Sequence, residues 1–228
     1  MRVPQRSDGK GSLRWIQRLT TADPRTLAEV LGRQAGGSGG RFTWLSPLPD
    51  DEWAEYRDGD FLDRVGHPEL RQQLKEYWPS RGPQWDGLGK LDDGTIVLIE
   101  AKANIPELRS SCGASPRPRE KIAAALRDTA ASLGGAVTAA WTDGYYQYAN
   151  RLAHLHFLHD AGVPAQLLFV YFIGDADVGG PVSANVLMQA LEEMYGALGL
   201  TATPIGVANA FVDVEALAPL SSSRCHDK

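Results

Sequence analysis

The stretch Thr95-Ile-Val-Leu-Ile-Glu-Ala-Lys-Ala103 decides how this chain folds. Alternate side chains of a strand point to opposite faces, and both faces begin here with apolar residues, which is typical of a central strand covered on both sides. Glu100 and Lys102 follow on one of those faces, where the strand leaves the core. Burying either charge is costly unless a partner compensates it, so the pattern indicates a candidate site.

A β-hairpin joins this strand to the segment before it. Residues 84–91 predict the first strand, and Asp-Asp-Gly at 92–94 predicts the turn. Pairing near the open end of the hairpin then brings Asp86 opposite Glu100 and Lys102. Two carboxylates and an ammonium suit Mg²⁺ or Mn²⁺, which activates a water while the lysine orients that water or stabilises developing charge. The expected reaction is phosphodiester hydrolysis.

Elements on either side of the hairpin extend the prediction to the whole chain. The pattern predicts helices at 13–19, 24–31, 118–133, 145–160 and 186–198, a helical stretch at 58–77 divided by Pro68, and strands at 165–173 and 205–214. This order predicts an α/β fold with a mixed central sheet flanked by helices. We expect a helical extension with a Gly-rich loop packed on the core (1–57), the α/β core (58–218) and a frayed polar tail (219–228).

The residues of the hairpin resemble a known active-site signature. Pro83-Gln-Trp-Asp86, thirteen intervening residues and Ile99-Glu100-Ala101-Lys102 are similar to the signature of the PD-(D/E)XK nuclease superfamily, which has the restriction-endonuclease-like fold. The superfamily's order of helix, strands, helix and strand also resembles the order predicted over residues 68–173. One departure is that the written signature has Pro directly before Asp, whereas two residues intervene here.

The resemblance implies a role for each signature position. Asp86 and Glu100 would be metal ligands for Mg²⁺ or Mn²⁺, and Lys102 would be the catalytic lysine. Many members take a further acid from the leading helix, where Glu69 and Glu76 are candidates seven residues apart on one face. We select Glu69 as a fourth catalytic residue, with a solvated surface glutamate as the alternative.

Composition excludes several other classes of protein. With 228 residues, 43% hydrophobic and 22% charged, the chain is neither disordered nor a disulfide scaffold. A soluble, cytoplasmic protein is expected, because no long apolar segment or secretion signal is present. The net charge of −5 argues against nonspecific coating of nucleic acid, although residues 1–41 carry +5 and residues 49–69 carry −6.

Other motifs favour simpler interpretations. His154, His156 and His159 point in scattered directions on a helix, so they do not predict a metal site. Tyr148 and Arg151 could face a phosphate or a base, but packing and surface roles are the simpler interpretation. The basic segment at 109–121 is either a substrate clamp or a solvated loop, and its serines lack a nucleophile elbow.

The expected partner is nucleic acid, with DNA preferred to RNA and no membrane. Cutting both strands of a duplex would be easier for a homodimer. Two alternatives stay open: a catalytically inactive protein of the same fold that binds a partner, and a metal-dependent hydrolase of a small phosphorylated molecule in a deep pocket. Convergence of Asp86, Glu100 and Lys102 in one cleft with a basic rim would favour the nuclease, and charges that pair off would favour the inactive protein.

Overall fold

A computed structural model describes residues 1–7, 9–22, 42–181 and 183–217. Its strands are β1 (Arg2–Val3), β2 (Phe42–Ser46), β3 (Glu55–Tyr56), β4 (Gly87–Leu91), β5 (Ile96–Lys102), β6 (Ser110–Ser111), β7 (Asp143–Gly144), β8 (Ala165–Ile173) and β9 (Val207–Asp213). Its α-helices are α1 (Ser12–Thr21), α2 (Gly59–Val65), α3 (Arg71–Tyr77), α4 (Pro116–Ser132), α5 (Tyr146–Asp160) and α6 (Ala184–Leu198).

A five-stranded mixed sheet lies at the centre, in the order β2-β4-β5-β8-β9. The first three strands are antiparallel, whereas β8 runs parallel to β5 and β9 parallel to β8. A parallel pair needs a long crossover, and α4 and α5 lie in the connection from β5 to β8. The short pairs β1–β3 and β6–β7 lie outside this sheet.

Helices cover both faces of the sheet. Ile96 and Leu98 of β5 face a core shared with α2 to α6, and Val97, Ile99 and Ala101 face a second core that includes α1. All five of these residues are at most 4% exposed, as expected for a strand that is apolar on both faces. The chain is therefore an α/β protein, which confirms the fold class predicted from the sequence.

The β4–β5 hairpin is closed by the predicted turn. Gly94 has φ 88°, a backbone conformation that residues other than glycine adopt only with strain. The Asp93 carboxylate accepts a hydrogen bond of 2.9 Å from the amide of Thr95. Both features hold the register that places Gly87 opposite Ile99.

Most predicted elements agree with the structure, and two differ. Helices α1, α4, α5 and α6 and strands β8 and β9 confirm the predicted ranges to within about three residues. The helix expected from Pro68 begins as a 3₁₀ turn at Pro68–Leu70 and continues as α3 from Arg71. The N-terminal region expected to be helical contains strand β2, which pairs with β4 and widens the central sheet.

Three predictions fall on other parts of the chain. The helix at 24–31, the Gly-rich loop at 34–40 and the polar tail at 219–228 lie outside the described residues. Among the described helices, none combines the length and apolar character that a membrane span requires.

Candidate active site

The hairpin brings the three signature side chains together. Asp86 directly precedes β4, and its Oδ2 accepts a hydrogen bond of 2.7 Å from the amide of Ala101 on β5. Glu100 and Lys102 lie two residues apart on the same face of β5, and the Lys102 ammonium donates to Glu100 Oε1. Their side chains are 2% and 11% exposed, so both charges lie at the floor of the site.

Helix α5 supplies two further polar groups that the sequence analysis did not assign to the site. Arg151 Nε donates to Glu100 Oε2 at 2.7 Å, and Gln147 Oε1 accepts from the Lys102 ammonium at 3.1 Å. Positions 147 and 151 are one helical turn apart, which aims both side chains at β5. Arg151 also donates to the carbonyl of Gln84 at 3.0 Å, so it connects α5 to β5 and to the segment that enters β4.

Strand β3 contributes a third carboxylate, Glu55. A bridge between Tyr56 and Trp85 holds β3 beside the segment that enters β4. Glu55 is 6% exposed, and its Oε2 accepts hydrogen bonds from the side-chain amides of Gln5 and Gln84. In the sequence Glu55 is one of eight acids between residues 49 and 69, and no local pattern distinguishes it from the others.

These groups line an open cleft of about 570 Å³. The loop before β4 forms one border, and the segment that leaves β5 together with the start of α5 forms another. Two exposed arginines, Arg81 and Arg109, come from these two borders. The cleft therefore has a buried polar floor, two exposed arginines at its rim and a further, half-buried acid, Glu107, in its lining.

Burial and neighbouring charges shift the carboxyl groups in opposite directions. Burial, reinforced by the charges of Glu100 and Glu55, raises the pKa of Asp86 well above its usual value. Burial also raises the pKa of Glu55, to about 7. Glu100 is equally desolvated, but the charges of Arg151 and Lys102 outweigh burial and lower its pKa. Glu100 is therefore the ionised anchor of the cluster.

Lys102 remains a cation although it is buried. Desolvation would lower the pKa of its ammonium, but the charges of Glu100 and Asp86 outweigh that effect and raise it. Three carboxylates thus face two cations, and the floor carries an excess of negative charge when all five groups are ionised. A bound cation would neutralise that excess.

Glu69 and Glu76 do not join this cluster. Glu69 is exposed and pairs with the Nδ1 atom of His67 at 2.9 Å, and Glu76 is exposed and accepts a hydrogen bond from Gln72. Neither side chain lines the cleft. The acid that reaches the cleft from upstream is Glu55, which precedes the helices from which Glu69 was chosen.

Two of the three histidines of α5, His154 and His159, have structural partners. His154 is 2% exposed, packs edge-on against Trp78 with ring centroids 4.9 Å apart, and contacts the carbonyl of Asn150 through Nδ1. Burial lowers its pKa to about 3, so its ring is neutral near pH 7. His159 contacts the carbonyl of Ala165 through Nε2.

The start of the segment at 109–121 lines the cleft, and two of its later basic residues donate hydrogen bonds to backbone carbonyls. Arg119 donates to the carbonyl of Cys112 and Lys121 to that of Lys75. Ser110 lines the cleft and accepts a hydrogen bond of 2.7 Å from the amide of Gln147. Of the four basic residues in this segment, Arg109 lines the cleft.

The donor set suits a hard cation, with one condition. Asp86 and Glu100 offer the carboxylate oxygens that Mg²⁺ and Mn²⁺ prefer. Both oxygens of Glu100 already contact cations, so a metal ion would bind Oε1 through its remaining lone pair or in place of Lys102. Within the described residues, no group of three His, Cys, Asp or Glu side chains is arranged to hold a metal ion.

Comparison with known proteins gives no relative. No family model matches the chain, and neither does a curated protein or a solved structure.

Proposed function

We propose that this protein is a divalent-metal-dependent nuclease that hydrolyses phosphodiester bonds. The observation that carries the proposal is the convergence of Asp86, Glu100 and Lys102 in one open cleft. A buried cluster of carboxylates with shifted pKa values around a lysine, in a cleft, is more typical of a reaction site than of a packed core.

Each side chain has a role in that reaction. Asp86 and Glu100 would hold Mg²⁺ or Mn²⁺, which supplies an activated water and neutralises charge on a phosphate oxygen. The Lys102 ammonium stabilises the negative charge that develops on the phosphate or orients the attacking water. Arg151 is a positioning residue, since it fixes Glu100 through Oε2 and leaves Oε1 toward Lys102.

The arrangement of elements supports the resemblance to the PD-(D/E)XK nucleases. The antiparallel strands β2, β4 and β5 precede helices α4 and α5, and a parallel strand, β8, follows. The superfamily's order of helix, strands, helix and strand is similar, except that β2 precedes α2 and α3 here and two helices separate β5 from β8. Asp86, directly before β4, is hydrogen-bonded to β5, the strand that carries the Glu-x-Lys, which resembles the arrangement of the signature.

The test is metal-dependent cleavage of single- and double-stranded DNA and RNA. We expect Mg²⁺ or Mn²⁺ to support cutting, and Glu100→Gln and Lys102→Met each to reduce the rate by on the order of 10²-fold or more. Glu76→Gln and Lys75→Met are matched controls, because both residues are exposed and neither lines the cleft. Cutting that survives Glu100→Gln and Lys102→Met would contradict the assignment of the site.

Two further variants compare the upstream acids. Glu69→Gln should retain full activity, because its side chain is solvated and paired with His67. Glu55→Gln should reduce activity, because Glu55 shares the cleft with Asp86. The opposite result would return Glu69 to the site.

A specific observation favours a second candidate, a noncatalytic binding protein. Both oxygens of Glu100 contact cations, so the central charges of the cleft already pair off. Isothermal calorimetry with Mg²⁺ and Mn²⁺ separates the two functions. Absence of both metal binding and cutting would favour the binding protein, and cleavage of nucleotides but not of polynucleotides would favour a small phosphorylated substrate.

A further inference from the structure

Two arginines at the rim of the cleft differ from the basic groups at its floor. Lys102 and Arg151 are buried and paired with Glu100. Arg81 and Arg109 are exposed, line the same cleft, and form no ion pair with the acids of the described residues. Unpaired guanidinium groups beside a site for phosphodiester chemistry are suited to backbone phosphates.

Other groups fix the backbone of Arg81 and the guanidinium of Arg109. Arg81 has φ 65°, and Asp58 accepts hydrogen bonds from the amides of Arg81 and Gly82, the latter at 2.9 Å. The guanidinium of Arg109 lies 4.5 Å from the centre of the Tyr145 ring. Such prior ordering reduces the entropy that a ligand has to remove on binding.

The size of the cleft limits what can reach its floor. The cleft has a volume of about 570 Å³. Glu100 is 1% exposed, so a scissile phosphate has to enter the cleft to approach it. A single polynucleotide strand can bend into such a cleft, whereas double-stranded DNA, with a persistence length of about 50 nm, resists bending.

An aromatic side chain lies beside the basic rim. Tyr146 is half-buried and lines the cleft next to Gln147, at the start of α5. Grooves that bind single strands combine basic groups that contact the backbone with aromatic rings on which bases stack. Arg81, Arg109 and Tyr146 supply both components at one cleft.

We infer that the substrate is a single-stranded polynucleotide, with Arg81 and Arg109 contacting its phosphates and Tyr146 stacking on a base. This inference rests on the proposed function and adds the strandedness of the substrate. The contacts involve phosphate and the face of a base, which DNA and RNA share, so both nucleic acids enter the test.

The test measures binding of fluorescent DNA and RNA strands of about 12 nucleotides, and of a DNA duplex of the same length, by anisotropy with a metal chelator present. We expect the single strands to bind about 10-fold or more tightly than the duplex. Arg81→Ala and Arg109→Ala should each reduce the slope of log affinity against log salt by about 0.7. Arg127→Ala is the matched control, since Arg127 is an exposed arginine of α4 that does not line the cleft.

Tyrosine variants test the stacking contact separately. Tyr146→Ala should weaken binding of single strands by on the order of 10-fold, and Tyr146→Phe, which keeps the ring, should preserve it. Circular dichroism confirms that each variant is folded. Equal loss in both variants would contradict stacking, because it would assign the effect to the hydroxyl group.

Failure of the inference differs from failure of the proposed function. Duplex binding as tight as single-strand binding, or rim variants that behave like Arg127→Ala, would overturn the inference even if metal-dependent cutting is observed. A different result would be that single strands bind through both rim arginines but stay uncut with every metal ion tested. That result would support single-stranded nucleic acid as the ligand and would contradict the proposed nuclease activity.

Discussion

The two faces of strand β5 carry the same kind of residue at one end and opposite kinds at the other. Toward α1, the row Val97, Ile99 and Ala101 is apolar throughout. Toward α5, apolar residues give way to Glu100 and Lys102 after two positions. Both rows belong to one strand and are buried, so the strand itself does not explain the difference.

The helices packed against each face explain it. On the polar face, α5 carries Arg151 and Gln147, which contact Glu100 and Lys102 and compensate part of their desolvation. On the apolar face, α1 presents Trp15, Ile16 and Leu19. A charge is therefore tolerated in β5 only where the opposing helix supplies its partner.

The most severe test moves a charge to the other face. Ile99→Glu should destabilise the protein by at least about 4 kcal/mol, because Ile99 is 0% exposed and lies in an apolar core. The two arginines of α1 have other partners, Arg14 in Asp177 and Arg18 in the ring of Trp15. Urea denaturation measures the loss of stability, with Ile99→Val as the control at about 0.5–1.5 kcal/mol. A stable Ile99→Glu protein would show that burial alone does not decide which face carries charge.

A smaller effect follows from removing the partner on the polar face. Arg151→Met should cost about 3 kcal/mol, because Glu100 keeps its charge and loses its Oε2 contacts. Adding Glu100→Gln should recover part of that loss, giving a coupling energy of about 1–3 kcal/mol in a double-mutant cycle. Strictly additive losses would mean that the two side chains act independently.

The smallest effect depends on pH and arises from His154, on the same helix. Burial lowers the pKa of His154 to about 3 from 6.5, so between those values the unfolded chain binds a proton that the folded protein does not. His154 therefore contributes a loss of about 1 to 2 kcal/mol of stability between pH 7 and pH 5, which the raised pKa of Glu55 opposes over the same range. His154→Gln should reduce this loss in urea denaturation, and an unchanged dependence on pH would exclude His154 as its source.

Part of the site could be predicted from the sequence because it is local. Asp86, Glu100 and Lys102 are joined by one hairpin, whose turn and strand alternation are properties of neighbouring residues. Glu55 and Arg151 depend on how β3 and α5 pack against that hairpin, and short-range patterns do not specify such packing. Glu69 was chosen from a helix whose place relative to the hairpin only the tertiary structure determines.

The elements of the fold show the same difference between local patterns, which the sequence predicts, and long-range pairing, which it does not. Long periodic segments such as α5 and β8 were predicted within about a residue, since many side chains contribute to each pattern. Strand β2 has five residues and was missed, because its place in the sheet is set by pairing with β4, more than 40 residues later.

The long connection between β5 and β8, which contains α5, also has a consequence for the order in which the molecule folds. The hairpin closes over a short turn, but Arg151 lies 51 residues beyond Glu100, so their contact requires closure of a far larger loop. Asp86, Glu100 and Lys102 can therefore meet in water before α5 docks, an order that pulse-labelled hydrogen exchange would resolve. Dehydration of the carboxylates is then a late event in folding, completed only when the guanidinium of Arg151 arrives.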